Sequence, residues 1–327
     1  MTTAIVLLSS AAEVAAGMIT FGVGAQQFQM EFVTIGNPGN LADTDINALP
    51  LSAGAVAYSY DIGKFEVSED MITKYNANFG TANSLAITTS ARGANKPATF
   101  VYWNEAARFV NWLNTSTGNP AAYKFTTGGV NDDIALWTSG DDGFDASNPY
   151  RNSLAKYFLP NSNEWYKAAY YNPNNDTYYD YANGRNTSAT AVASGTADNT
   201  AVYRNAGDPY LSGPADVTQA GGLSPYGVMG LGGNVYEWEE SSFDLLNSSG
   251  PSSRRAARGG SFDDVSGASS SSARYYGLNP SSGNYDIGFR VASLSTSPAA
   301  AVPEPGTLLL GTLLGLGGYL GKRRMKK

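Results

Sequence analysis

The chain has 327 residues and a formal charge of −7, with 15% charged residues and neither cysteine nor histidine. That length can bury a full core in one or two domains, and the acidic balance argues against nucleic acid as a partner. The missing sulfur and imidazole exclude disulfides, thiol nucleophiles, thiolate metal sites and the commonest ligand for iron, zinc or copper.

Abundant Gly, Ser, Asn and Tyr favour a loop-rich globular protein over a helical one. Residues 1–27 are small and apolar, and Gly22-Val23-Gly24-Ala25 is a candidate cleavage site, so the segment reads as an export signal. Against that, no Lys or Arg precedes Lys64 and Glu13 interrupts the apolar run. The domain proper is expected to start at Phe28, with a strand over Met30–Ile35 and a turn-rich loop from Gly36 to Asn40. Strand-like alternation runs from Val56 to Val67, a helix is expected over Glu69–Phe79, and residues 80–95 read as a surface loop.

Residues 97–113 combine a short strand with a helix that Asn104 is placed to cap, with Ala106, Phe109, Val110 and Leu113 on one face. A second helix follows Asn161, whose partner Glu164 completes a capping box, and Asn172-Pro173 stops it. Trp165, Ala168 and Ala169 form its buried stripe, and Trp103, Trp112 and Trp165 are expected in the core. The acidic loop with Asp132, Asp133, Asp141, Asp142 and Asp145 lacks EF-hand spacing and reads as a solvated turn. Residues 183–200 are low-complexity and read as an exposed loop.

The most informative stretch runs from Gly230 to Ala292. Gly232-Gly233-Asn234 is a turn of residues that tolerate positive φ. Val235, Tyr236 and Trp238 read as a strand with Glu237 facing the other way. Arg258 before a glycine pair suggests a guanidinium held on carbonyls or on a carboxylate. The stretch closes on Ile287-Gly288-Phe289-Arg290-Val291-Ala292.

The blocks Gly233–Trp238, Arg258–Ser261 and Ile287–Arg290 resemble, in order, the C-terminal half of the formylglycine-generating enzyme (sulfatase-modifying factor) family. The resemblance implies an α+β fold, loop-rich with short strands and a few helices, distantly related to C-type lectins, over residues 28–292. In the oxidase branch of that family two cysteines bind copper and oxidise a substrate cysteine; the matching positions here are Asp264 and Ser269. Neither supplies a thiolate, and the iron-dependent branch uses histidines that this chain lacks. Asp264 with Asp263 could share acid/base work; two exposed loop acids are the plainer reading.

The family also binds structural calcium. The resemblance carries one candidate set onto Glu237 with the carbonyls of Gly233 and Val235, where Gly230 replaces a side-chain ligand. A second set falls on the carbonyls of Val202 and Tyr210 with Asp208, where Ala201 replaces an Asn and Asn199 could substitute. From Ser266 to Asp286, 15 of 21 residues are Ser, Tyr, Gly or Asn, a mixture similar to antibody paratopes. Tyr275, Tyr276, Asn279, Asn284 and Tyr285 are the candidate ligand contacts, on the face that retroelement-diversified proteins of this fold vary; Arg274 and Arg290 flank the stretch. The plain alternative is a surface loop of small residues.

Residues 293–302 read as a linker. Pro303-Glu304-Pro305, an apolar run from Gly306 to Gly321 and the basic end Lys322–Lys327 then resemble a PEP-CTERM sorting signal with a C-terminal hydrophobic helix. That resemblance implies export through the Sec machinery, an inner-membrane intermediate, and processing by an exosortase in a Gram-negative bacterium, with release to the cell surface or matrix. Sixteen apolar residues make a helix of about 24 Å, short of a ~30 Å hydrocarbon core, and a short permanent anchor is the alternative. The sequence thus points to a surface binding module for a glycan or protein. An oxidoreductase using another metal or none, and a structural matrix component without a specific ligand, are the rival classes.

Overall fold

In the computed structural model, residues 17–295 are described, save 246, 248 and 249. The expected sorting helix, its Pro-Glu-Pro block and most of the linker lie outside the described residues, as do residues 1–16. Among the described residues no helix is long and apolar enough to cross a membrane.

The main sheet has five strands: β1 (Gly17–Phe21), β2 (Phe28–Ile35), β3 (Tyr60–Gly63), β4 (Tyr157–Phe158) and β13 (Ala292–Leu294), in the order β1-β2-β3-β13-β4. Ile35 pairs with Tyr60, and Ala292 lies opposite both Ile62 and Phe158, so the two ends of the domain close one sheet. The domain starts upstream of Phe28, where the sequence placed its boundary. Gly17–Phe21 pairs with Phe32–Phe28, Phe21 is 1% exposed, and its ring meets Phe28 at 5.7 Å and Tyr157 at 5.1 Å. A small, apolar segment that resembles a leader is here an edge strand that buries only its inward positions.

Three helices pack on this frame: α1 (Glu69–Tyr75), α2 (Trp103–Ser116) and α3 (Ser162–Tyr170). The helix expected to reach Phe79 leaves α geometry at Asn76 and continues as a π turn to Gly80. The strand expected before α2 does not form beyond a single Ser68–Pro97 bridge. Asn104 is not the cap of α2; it lies within the first turn, where its Nδ2 donates to Asn131 O at 3.0 Å and Asp133 Oδ1 at 2.9 Å. Glu105 instead reaches back to accept the Tyr102 N–H at 2.9 Å, which frees Asn104 for the tertiary contact. At α3 the expected capping box forms: Asn161 Oδ1 accepts from Glu164 N at 2.9 Å, and Glu164 Oε2 from Asn161 N at 2.7 Å. Trp103 and Trp165 are fully buried and Trp112 nearly so.

Short pairs β5 (Tyr171–Asn172) with β6 (Thr177–Tyr178), and β7 (Thr190–Val192) with β8 (Thr200–Val202), decorate the middle of the chain. A second sheet carries the C-terminal blocks: β9 (Tyr236–Ser242), β10 (Arg255–Arg258), β11 (Tyr275–Leu278) and β12 (Ile287–Gly288), in the order β11-β10-β9-β12, with β12 parallel to β9. All seven residues of β9 are buried. The acidic loop holds itself: Asp132 accepts from Gly129 N, Asp145 from Ser147 N, and Asp141 from Lys124 and Thr138.

Glu105 is 5% exposed, and burial raises its carboxyl to about 7 against the opposing pull of the Tyr102 N–H. The folded pKa exceeds the unfolded one, so the contribution is full below about pH 4 and is lost as pH rises through about 7, a change of about 3 kcal/mol. Glu105→Gln should remove that slope. Melting curves from pH 4 to 8 should show the difference between variant and wild type moving in the variant's favour as pH rises; a constant difference would refute the assignment.

Candidate functional site

The turn ahead of β9 is set by backbone approach. A Cβ on Gly233 (φ +150) would lie 2.4 Å from Val202 O, the carbonyl that accepts the Asn234 N–H at 2.7 Å. Asn234 (φ +65) is fully buried; its Oδ1 accepts from Ala215 N at 2.8 Å and its Nδ2 donates to Glu66 Oε1 at 2.9 Å. A Cβ on Gly230 would meet the Glu66 carboxylate at 2.8 Å, so Glu66 fills the space that a side chain at Gly230 would take. Glu66 Oε2 has no hydrogen-bond partner. Burial, then the nearby Glu237 charge, raise this carboxyl to about 7.

Beyond the turn, β9 sends Tyr236 and Trp238 to the aromatic core and its glutamates to arginines. Glu237 accepts at both oxygens from Arg290, and at Oε2 from Trp165 Nε1 at 2.7 Å. Arg290 also donates to Gly63 O and Met229 O, each at 2.8 Å. Glu239 accepts from Arg258 at Oε1 and from Arg274 Nη2 at Oε2, the latter at 2.7 Å. Burial would raise Glu239, but the Arg274 and Arg258 guanidiniums outweigh it and hold the carboxyl below its ordinary range. Glu240 accepts from Tyr123, Asn148 and Arg151. Arg258, expected on a carbonyl or a carboxylate, takes both, since it also donates to Ala273 O at 3.1 Å.

These pairs frame a cluster at the end of the second sheet. Asp264 Oδ2 accepts from Ser261 Oγ at 2.6 Å and Ser261 N at 3.1 Å, and burial, then the Asp264 charge, raise the Tyr236 hydroxyl. The Tyr236 and Tyr275 rings lie 4.6 Å apart. Tyr275 shares a hydrogen bond with Asn284, while Tyr285, 41% exposed, donates its hydroxyl to Asp263. Arg92 lies over Phe262 at 4.9 Å and over Tyr285 at 6.0 Å. Burial, then the Asp264 charge, raise Asp286 to about 6.

Of the sequence candidates, Tyr275, Asn284 and Tyr285 are therefore brought together around Asp263 and Asp264. Asn279 is exposed at the other end of the loop, with no described contact to that cluster, and Tyr276 contributes backbone to β11. Asp264 and Asp263 do not form the acid pair the sequence suggested. Asp263 is held by Tyr285, and the carboxyl facing Asp264 across Ser261 is Asp286. Ser269 turns elsewhere: its Oγ donates to Ser266 O, its carbonyl accepts from Tyr170, and it lines a cavity of about 20 Å³ with Tyr181 and Asn183.

The calcium candidates fall in dissimilar surroundings. Glu237 is paired with Arg290 and the Val202 carbonyl with Asn234. Asp208 is exposed and accepts from Asn205, and Tyr210 is 70% exposed under the Arg204 guanidinium. Sequence reasoning missed Glu66, Tyr236, Asp286 and Arg92, whose partners lie far away in the chain, and it missed Ser261 although its partner Asp264 stands only three residues on. Two clefts lie away from the cluster, one of about 580 Å³ lined by Tyr58, Asn148, Arg151 and Asn163 and one of about 780 Å³ along residues 37–45.

The chain belongs to the family of the sulfatase-modifying factor enzyme 1-like domain, whose family model matches residues 10–294. It is similar in structure to Treponema denticola variable protein 1, with a TM-score of 0.54 and 20% identity over 85% of this chain and 99% of that one. CarF gives 0.54 and 19% over 81% and 98%, and PvdO from Pseudomonas aeruginosa 0.50 and 16% over 85% and 98%. At these identities the likeness is one of fold. No curated protein matches the chain.

Removing Arg290 leaves the buried Glu237 unpaired beside Glu66. Arg290→Met is expected to cost about 3–5 kcal/mol, read as a lowered denaturant midpoint. Adding Glu237→Gln should recover part of that loss; a double variant no more stable than Arg290→Met would show that the arginine acts through packing and the carbonyls alone.

Proposed function

We propose that this domain is a ligand-binding module, with a glycan or a protein as its ligand, and that it does not carry the cysteine-dependent oxidation of its family. One observation carries the reading. Where the oxidase branch has its first cysteine, this chain has Asp264, set among Tyr236, Tyr275, Asn284 and Tyr285 on a frame pinned by Arg258 and Arg274. Tyr and Asn give contact area and adaptable hydrogen bonds at low entropic cost, and a rigid frame lowers the cost of ordering them. The carboxylate of Asp264 and the hydroxyl of Ser269 do not suit soft Cu(I).

Structural calcium, which the family resemblance implies, has one position with a donor to spare. Glu66 Oε2 is buried and unpartnered in the cradle left by Gly230. An ion held by Glu237 with the carbonyls of Gly233 and Val235 would have Glu66 close by, and its contribution would be to fix the turn ahead of β9. At the second position the Val202 carbonyl already accepts from Asn234. Export and surface sorting rest on the Pro303-Glu304-Pro305, apolar and basic blocks, with an exosortase and the Sec machinery as partners in transit.

Arrays of glycans and of peptides should give selective hits for the purified domain, and Tyr275→Ala or Tyr285→Ala should weaken them about ten-fold, as loss of an aromatic anchor does. No selective hit would favour a purely structural role, and aldehyde formation on a thiol-bearing peptide would overturn the reading. For sorting, the mass of the chain recovered from the cell surface should lack the block that follows Pro305. A mature chain still ending in Lys327 would refute processing.

A further inference from the structure

Asp286 ends the tyrosine-bearing loop and is more than nine-tenths buried, at 7% exposure. Its Oδ1 has no hydrogen-bond partner and is closed off from solvent. Its Oδ2 faces Ser261 Oγ at 3.4 Å, yet that hydroxyl lies 2.6 Å from Asp264 Oδ2. A hydroxyl carries one hydrogen, and it goes to the shorter contact. Apart from its own backbone N–H, Asp286 is thus left without a donor, while Asp264 takes the N–H and hydroxyl of Ser261.

Among the described residues no cation pairs with its Oδ1. The nearby charges of Asp264 and Asp263 oppose ionisation of Asp286 further. Of the two arginines nearby, Arg92 lies on the Phe262 and Tyr285 rings with its Nη1 left without a hydrogen-bond partner, and Arg204 donates to the Asp263 carbonyl and lies over Tyr210. A buried carboxylate beside a second one, with neither donor nor counter-charge, is costly unless something positive sits between them. The enclosed Oδ1 admits a small bare ion rather than a bulky organic cation.

We propose that Asp286 and Asp264 hold a calcium ion, with Ser261 Oγ as a neutral donor and water on the outer side, where Asp263 and Asp264 are half-buried. The donors are all oxygen, which selects a hard cation, and calcium tolerates irregular geometry where magnesium demands a regular octahedron. Among the described residues no three or more acidic side chains are arranged as ready ligands, so a site of two carboxylates and a hydroxyl leaves the remaining positions to water. The ion would tie the end of the loop to the turn after β10 and fix Asn284 and Tyr285 next to Asp286. This site is distinct from the Glu66 cradle and does not depend on what the tyrosines bind.

Terbium(III), which replaces calcium at oxygen sites and emits when excited through a nearby tyrosine, tests the proposal on the full chain. Emission sensitised by Tyr236 is expected and should be quenched by excess calcium. It should persist in Glu66→Gln, which removes the spare donor at the turn ahead of β9, and be lost when Asp286→Asn or Asp264→Asn is added to that variant. Calcium should raise the melting temperature of Glu66→Gln and not that of the double variant with Asp286→Asn. In chelator the Asp286→Asn variant, relieved of a buried charge, should melt no lower than the wild type. No emission from Glu66→Gln, emission that survives the added Asp286→Asn, or a lower melting point of Asp286→Asn in chelator would each overturn the assignment.

Discussion

The buried pairing of β9 carboxylates with arginines from distant parts of the chain is the constraint on which the C-terminal half depends. Glu237, Glu239 and Glu240 are fully buried, and Arg290, Arg258 with Arg274, and Arg151 answer them. Buried ion pairs add little net stability against a well-packed apolar alternative, so their value here lies in specification. All seven residues of β9 are buried, so hydrophobicity alone does not tell one face from the other. A one-residue slip would carry Trp238 to the side of Arg290 and Arg258, and Glu237 and Glu239 into the aromatic core. The charges fix the register that burial leaves open.

That register then positions the loop. Arg258 and Arg274 meet on Glu239 from either side of the Ser- and Gly-rich stretch, so a segment with few apolar anchors is clamped at its root. Arg274 also donates to the Ser242 and Phe243 carbonyls, which joins β11 to the end of β9. The turn after β10 and the approach to β11 are thereby held on a rigid base.

How much of this the sequence disclosed follows from the range of each interaction. The capping box of α3, the alternation of Glu237 between Tyr236 and Trp238, and the turn at Gly233-Asn234 are local, and each was legible. The need of Arg258 for an acceptor was legible too, though not which one. Glu237 and Arg290 are 53 residues apart and Glu66 and Asn234 are 168 apart; no pattern in the chain joins them, and Glu237 read instead as a metal ligand. Asn104 misled because a residue with good capping chemistry stood beside Glu105, which satisfied the free N–H first. Gly17–Phe21 misled because an edge strand of small and apolar residues has the composition of a leader.

The two buried carboxylates with an unpartnered oxygen, Glu66 and Asp286, mark where this arginine-based scheme stops short. Glu66 has Asn234 on one oxygen and shares the Arg290 charge with Glu237, so that site holds two carboxylates against one guanidinium. Among the described residues no guanidinium pairs with the free oxygen of Asp286, and its neighbour Asp264 adds to the deficit. Elsewhere in the second sheet the buried acids were matched by arginines from the chain itself. At the position where the oxidase branch places sulfur, this chain offers instead unneutralised oxygen on a rigid support. Oxygen donors of that kind favour hard cations over soft ones.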